Sequence, residues 1–206
     1  MDIPQNIISI AVFLVALFLS VALHEMMHAY VALRLGDDLA HSRGRISLNP
    51  MSHIDPILTL ALPAVLLLLG LPPILAAKPV PINTSRIKGE ELGLAAVGIA
   101  GPLTNLAIAT LAAVVINMTG ATGLALDILM LMLKLNVGLF VFNMIPFPPL
   151  DGSRVLYAFA PESVQNVMRQ IESFGIFGVI LILSLAYPVI SPIITSVQNA
   201  LLNILL

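Results

Sequence analysis

Apolar positions in this chain come in runs too long for the interior of a water-soluble fold. Uncharged stretches cover residues 3 to 23, 56 to 77, 92 to 117, 135 to 150 and 173 to 206, and a helix needs about 20 apolar residues to cross the hydrocarbon core of a bilayer. The pattern predicts an all-α polytopic membrane protein with about 4–6 membrane helices. It reads as one membrane-embedded unit over 1–206, with a core from 7 to 157 and C-terminal helices over 158–206. The first helix runs from about Ile7 to Leu35 with Gly36 as its stop. Pro63, Gly70, Pro72 and Pro73 interrupt the run 56–77. The run 92–117 is a good span, residues 118–124 are a Gly/Thr turn, and a further span covers about 125–145 before Pro146, Pro148 and Pro149 break it. Residues 154 to 172 suit an amphipathic, interfacial helix, and Pro188 and Pro192 divide the end into one span plus a short or tilted helix.

Two stretches depart from helical periodicity. Arg45 to Leu48 alternates as a short β-strand does. In Lys78-Pro79-Val80-Pro81-Ile82-Asn83 the prolines fall on alternate positions, so in a strand they blunt one edge while Val80 and Ile82 keep backbone amides on the other. A proline-stiffened loop fits these residues equally well.

Composition sharpens the class. The chain is 59% hydrophobic and 10% charged, with a mean hydropathy of +1.04, against about 25% charged residues in soluble domains. A net charge of -2 without a basic tail excludes nucleic acid as a partner. The absence of cysteine excludes disulfides and thiolate ligands. The N-terminal run lacks the positive region of a signal peptide and reads as a retained helix.

Charge placement gives a topology. No Lys or Arg precedes Arg34, whereas Arg43 and Arg45 follow it, so the N-terminus belongs outside and residues 36–55 in the cytoplasm. A full crossing by 56–77 would leave Lys78, Arg86 and Lys88 outside, and a re-entrant hairpin returns them to the cytoplasmic side. The expectation is a multi-pass protein of the cell membrane.

Within the first apolar run lies His24-Glu25-Met26-Met27-His28. On a helix, His24 and His28 share a face and can hold one zinc ion, with Glu25 beside them as general base. Ionisable groups at bilayer depth cost about 2.5–3.5 kcal/mol for Asp on the insertion scale and mark function. His28 lies about 9 Å before Arg34 along the helix, which places the metal on the cytoplasmic side. Catalytic zinc takes three protein ligands, and Asp151, at the end of the proline-broken span, is the best third; taken alone it is also a common type of helix N-cap.

Asn105 and Asn143 are uncharged donors on two other spans. Either could bind a tetrahedral oxyanion, or make an interhelical hydrogen bond. Asn136, two turns before Asn143, reads as such interhelical glue, and Lys134 as a snorkelling side chain. For His53 and Asp55 a solvated interfacial loop is favoured over a second metal or gating pair.

These motifs together resemble the site-2 proteases, intramembrane zinc metalloproteases, in their minimal form lacking PDZ and CBS domains. The resemblance is carried by His24 to His28, by Asn49-Pro50 through His53-Ile54-Asp55-Pro56, by Lys78 to Asn83, by Gly101-Pro102-Leu103-Thr104-Asn105 and by Asn143 through Asp151-Gly152. They occur in the family's order over about 10 to 157, with Leu58 where similar sequences carry Gly. The resemblance implies that His24, His28 and Asp151 bind one Zn2+ per chain and that Glu25 activates water. It implies that Asn105, with Asn143, assists the substrate carbonyl and that 78–83 pairs with an unwound substrate. The implied partners are the lipid bilayer and a transmembrane substrate protein or signal-peptide remnant. A rival reading of the same residues is an inactive zinc-binding membrane scaffold or a metal transporter.

Overall fold

The computed structural model describes residues 5–61, 65, 66, 68 and 78–206. Its long helices are α1 (Gln5–Arg34), α3 (Glu90–Thr119), α4 (Gly123–Asn143) and α7 (Gly175–Leu205), with short helices α2 (Leu39–Ser42), α5 (Asp151–Phe159) and α6 (Glu162–Ser173) between them. Four segments are long and apolar enough to cross a membrane: Ile8–Arg34, Glu90–Thr119, Gly123–Asn143 and Leu181–Leu205. Large apolar side chains along them, among them Val15, Leu111 and Leu185, face outward, as a lipid-solvated surface requires.

Helix α3 is the centre, packing on α1, α4 and α5. Its buried face is built from Gly93, Ala95, Gly98, Ala100, Gly101, Ala109, Ala112 and Ala113. Small residues let membrane helices approach closely, which is where their packing energy comes from when lipid removes the hydrophobic drive. Leu133, Val137 and Val141 of α4 close on Ala109, Ala112 and Ala113, and α7 backs this cluster through Ile194, Leu201 and Leu202.

The breaks have local causes. Gly36 (φ 108°) ends α1 in a conformation that other residues rarely adopt. Gly120 and Gly123, both at φ 58°, turn the chain between α3 and α4. Ala160 and Pro161 separate α5 from α6, so the single interfacial helix expected over 154–172 is two. The expected division of the C-terminal run is corrected: α7 passes unbroken through Pro188 and Pro192. A proline removes one helical hydrogen bond, a loss that membrane helices tolerate through local adjustment.

No strand forms among the described residues, so the expected short strands are absent at 45–48 and 78–83. A strand is defined by its ladder. Pro79 and Pro81 carry no amide hydrogen, and Val80 and Ile82 have no backbone partner among the described residues. The hairpin expected over 56–77 lies outside the described residues, apart from a wide helical turn at Pro56–Ala61 and three isolated positions.

Candidate metal centre

His24 and His28 sit on one face of α1, one turn apart, with rings edge to face and centroids 4.6 Å apart. Both are buried, at 6% exposure each. Their Nε2 atoms are 3.0 Å from each other. Asp151, the first residue of α5, brings Oδ2 to 3.1 Å from His24 Nε2 and 3.3 Å from His28 Nε2. Zinc bonds of about 2.0–2.2 Å at tetrahedral angles give ligand-to-ligand edges of about 3.3–3.6 Å. The three atoms therefore already stand at about the spacing one zinc ion needs. Among the described residues this is the one group of three or more His, Asp or Glu side chains that could hold a metal ion.

The other ring nitrogens are held so that Nε2 is available. His28 Nδ1 donates to the Val97 carbonyl oxygen at 2.7 Å, and His24 Nδ1 lies 2.6 Å from Asn105 Oδ1. Such partners fix the tautomer and aim the ligand. Burial raises the Asp151 carboxyl, but the His28 and His24 rings against it outweigh that and hold it well below the usual carboxylate range. A carboxylate ligates a metal as its anion, the form this setting favours.

Three glycines make this approach possible. At Gly101 a Cβ would overlap His28 Nε2 and stand 2.6 Å from His24 Nε2. At Gly98 it would lie 2.8 Å from Arg154 Cβ and 3.1 Å from the Asp151 carbonyl oxygen, so α5 docks on α3 only because the side chain is absent. At Gly152 it would strike the Met144 and Ile145 carbonyls, across the turn that returns α5 towards the site. Pattern reading had singled out Gly101 and Gly152 only as parts of motifs; close approach of helices is a tertiary fact.

Glu25 is half-buried on the turn that carries His24. Arg45, 4% exposed, lies within electrostatic reach of it: burial pushes the Arg45 guanidinium down from its ordinary value and the Glu25 charge offsets part of that. Arg45 donates to the carbonyl oxygens of Ser52 and Lys78, and to that of Pro79 at 3.1 Å. The far end of the 78–83 segment is held by Asp37. Fully buried, its carboxylate accepts from the Asn83 amide at 2.6 Å and from the Leu39 amide at 3.0 Å. Lys78 N–H donates to the His53 carbonyl oxygen at 2.9 Å. Ile82 packs on the cluster of Ala32, Ile87 and Val97, the same Val97 whose carbonyl holds His28. The segment is thereby stretched beside the metal centre and anchored at both ends. In the sequence Arg45 counts only towards the topology and a short strand, and Asp37 is a charge beyond the Gly36 stop; neither points to an anchoring role.

Asn105 is fully buried, with its oxygen on His24 and its amide donating to Asn136 Oδ1 at 2.9 Å. Asn143 turns back to donate to the Leu139 carbonyl oxygen of its own helix at 2.9 Å. His53 is buried rather than solvated, with Nε2 2.8 Å from the Ser47 carbonyl oxygen.

Sequence comparison places the chain among known proteins. YwhC of Bacillus subtilis (strain 168), which bears the provisional name of a zinc metalloprotease, is 33% identical over 201 residues, covering 92% of this chain and 89% of that protein. The chain belongs to the site-2 protease family. Rip2 of Mycolicibacterium smegmatis, named in the same provisional way, is 28% identical over 194 residues, 87% of this chain and 70% of its own. Zinc metalloprotease MJ0392 of Methanocaldococcus jannaschii is 30% identical over 158 residues, 77% of this chain and 37% of its own. The chain matches no protein-family model and no solved structure.

Proposed function

We propose that this protein is a zinc-dependent intramembrane protease that hydrolyses a peptide bond within or beside the transmembrane segment of a membrane protein. The observation that carries the reading is the meeting of His24 Nε2, His28 Nε2 and Asp151 Oδ2 at tetrahedral spacing, beside Glu25 and among membrane-length helices.

In this reading His24, His28 and Asp151 hold one zinc ion per chain. Bound there, zinc lowers the pKa of water towards about 7 and polarises a carbonyl. Glu25 takes the proton of the attacking water and passes it to the leaving amine. Arg45 stands within electrostatic reach of Glu25 and places a positive charge at this end of the site. A helical substrate hides its carbonyls in its own hydrogen bonds, so part of it has to unwind. The 78–83 segment, anchored by Arg45 and Asp37 and with no backbone partner for Val80 or Ile82 among the described residues, offers backbone groups to replace the bonds lost. Substituting proline at Val80 and Ile82 tests this: cleavage of a transmembrane substrate falls if the edge pairs, and unchanged cleavage rules the pairing out.

The substrate class is a single-span membrane protein or the remnant of a signal peptide. The Lys/Arg distribution supports an outside N-terminus and a metal centre towards the cytoplasm. Because the chain has no cysteine, single cysteines introduced at Asp2 and Ser42 report sidedness directly by labelling. The decisive experiment uses protein in lipid nanodiscs with a single-span substrate. Wild type binds one zinc and cleaves, and Glu25→Gln keeps the zinc and loses cleavage. If Glu25→Gln left the biological activity intact, the protein would be a zinc scaffold or transporter instead.

A further inference from the structure

His24 heads a line of four hydrogen-bonded side chains from three helices. His24 Nδ1 meets Asn105 Oδ1 at 2.6 Å, Asn105 Nδ2 donates to Asn136 Oδ1 at 2.9 Å, and Asn136 Nδ2 donates to Ser20 Oγ at 3.0 Å and to the Met132 carbonyl oxygen at 2.8 Å. Ser20, Asn105 and Asn136 are all fully buried. Water does not reach them, so the polarity of each member is set by its neighbours.

That polarity can be followed from one fixed end. A backbone carbonyl only accepts, so the Met132 oxygen requires the NH2 side of Asn136. Asn136 then turns its oxygen to Asn105, which must answer with its own NH2. The oxygen of Asn105 consequently faces His24, and His24 carries its proton on Nδ1. Nε2, the nitrogen that faces His28 and Asp151, is left with a bare lone pair. Were Asn105 reversed, its NH2 would face Nδ1, the proton would move to Nε2, and the ligand atom would be blocked. His28 reaches the same state in one step, through the Val97 carbonyl.

We propose that Asn136, held by the Met132 carbonyl and by Ser20, is a positioning residue of the metal centre, setting the polarity of Asn105 and through it the tautomer of His24. The inference rests on His24 being a metal ligand. It assigns Asn105 to orienting that ligand, with both ends of its amide engaged.

The test is zinc affinity of the full chain, measured by chelator competition, for wild type, Asn136→Leu and Asn136→Asp. Leucine removes the acceptor that holds Asn105, and zinc affinity falls by about 10–100-fold, the usual cost of losing a ligand's outer partner. In its protonated form aspartate keeps an acceptor towards Asn105 and an O–H towards the Met132 carbonyl, and zinc affinity stays within about 3-fold of wild type. A second measurement is 15N NMR of histidine-labelled, zinc-free protein. Asn136→Leu shifts the His24 nitrogens towards a mixture of tautomers, while His28 keeps its Nδ1–H form. Should Asn136→Leu not fold, Ser20→Ala serves, with a drop of about 3–10-fold for one lost hydrogen bond. Wild-type affinity in Asn136→Leu or in Ser20→Ala, or equal losses in the Leu and Asp variants, overturns the relay. Absence of stoichiometric zinc from wild type overturns the metal-centre reading beneath it.

Discussion

Gly101 of α3 backs directly onto His28 of α1, leaving no space for a side chain between the helix backbone and the Nε2 atom. The contact ties the packing of two membrane helices to the shape of the metal site. Gly101→Ala therefore drives the helices apart or swings the imidazole aside. The expected outcome is a loss of about 1–3 kcal/mol in stability together with at least about 10-fold weaker zinc binding. Thermal unfolding in detergent and chelator competition measure the two effects separately.

Glu25 lies on the turn that carries His24, outside the group of His24, His28 and Asp151 that could hold a metal ion. Glu25→Gln keeps the size and helix propensity of the side chain and removes its basicity. Cleavage is expected to fall by about 10²–10⁴-fold, the usual contribution of a general base, with one zinc still bound. Metal analysis and single-turnover cleavage on the same preparation check this.

Asp37 accepts from both the Leu39 and Asn83 amides with no exposure to solvent. Asn at this position has one acceptor for two donors and turns its own NH2 against an N–H. Asp37→Asn is expected to release the far end of the 78–83 segment at a cost of about 1.5–3 kcal/mol. KM for a membrane substrate rises more than kcat falls, and limited proteolysis finds new cuts near Asn83. An unchanged KM together with unchanged proteolysis would show that Asp37 does not hold the segment.

Zinc removal separates scaffold from chemistry. The helices are held by the small-residue face of α3 against α1, α4 and α5, including Ala109, Ala112 and Ala113 packed on Leu133, Val137 and Val141. Stripping the metal with a chelator is expected to abolish cleavage while leaving helical circular dichroism within about 10% of its starting value, since structure here comes from packing. Adding zinc back restores cleavage. Collapse of the helical signal would mean that the metal is part of the fold.

The elements of the bundle were legible because the physics that makes them is local. Twenty or more apolar residues between charges have few options in a bilayer, and Gly36, Gly120 and the prolines before Asp151 punctuate them visibly. His24, Glu25 and His28 were legible for the same reason, since one helical turn joins them. Pro188 and Pro192 misled because a proline's effect on a membrane helix is decided by its surroundings, and α7 continues through both. The strands at 45–48 and 78–83 failed because alternation describes a face, whereas a strand needs a partner.

By itself the sequence determined a membrane-embedded helical chain, its candidate ligand pair and base, and a carboxylate able to complete them. Those depend on residue type and short spacing. Only the tertiary structure decided that Asp151 reaches His24 and His28, that Gly98 and Gly101 exist to let it, and that Asn105 points its oxygen at His24 rather than standing open. It also made anchors of Arg45 and Asp37 and drew Asn136 and Ser20 into the line behind His24. Each of these is a contact across distant parts of the chain, and the polarity of a buried hydrogen bond is set by whichever group the fold places opposite it.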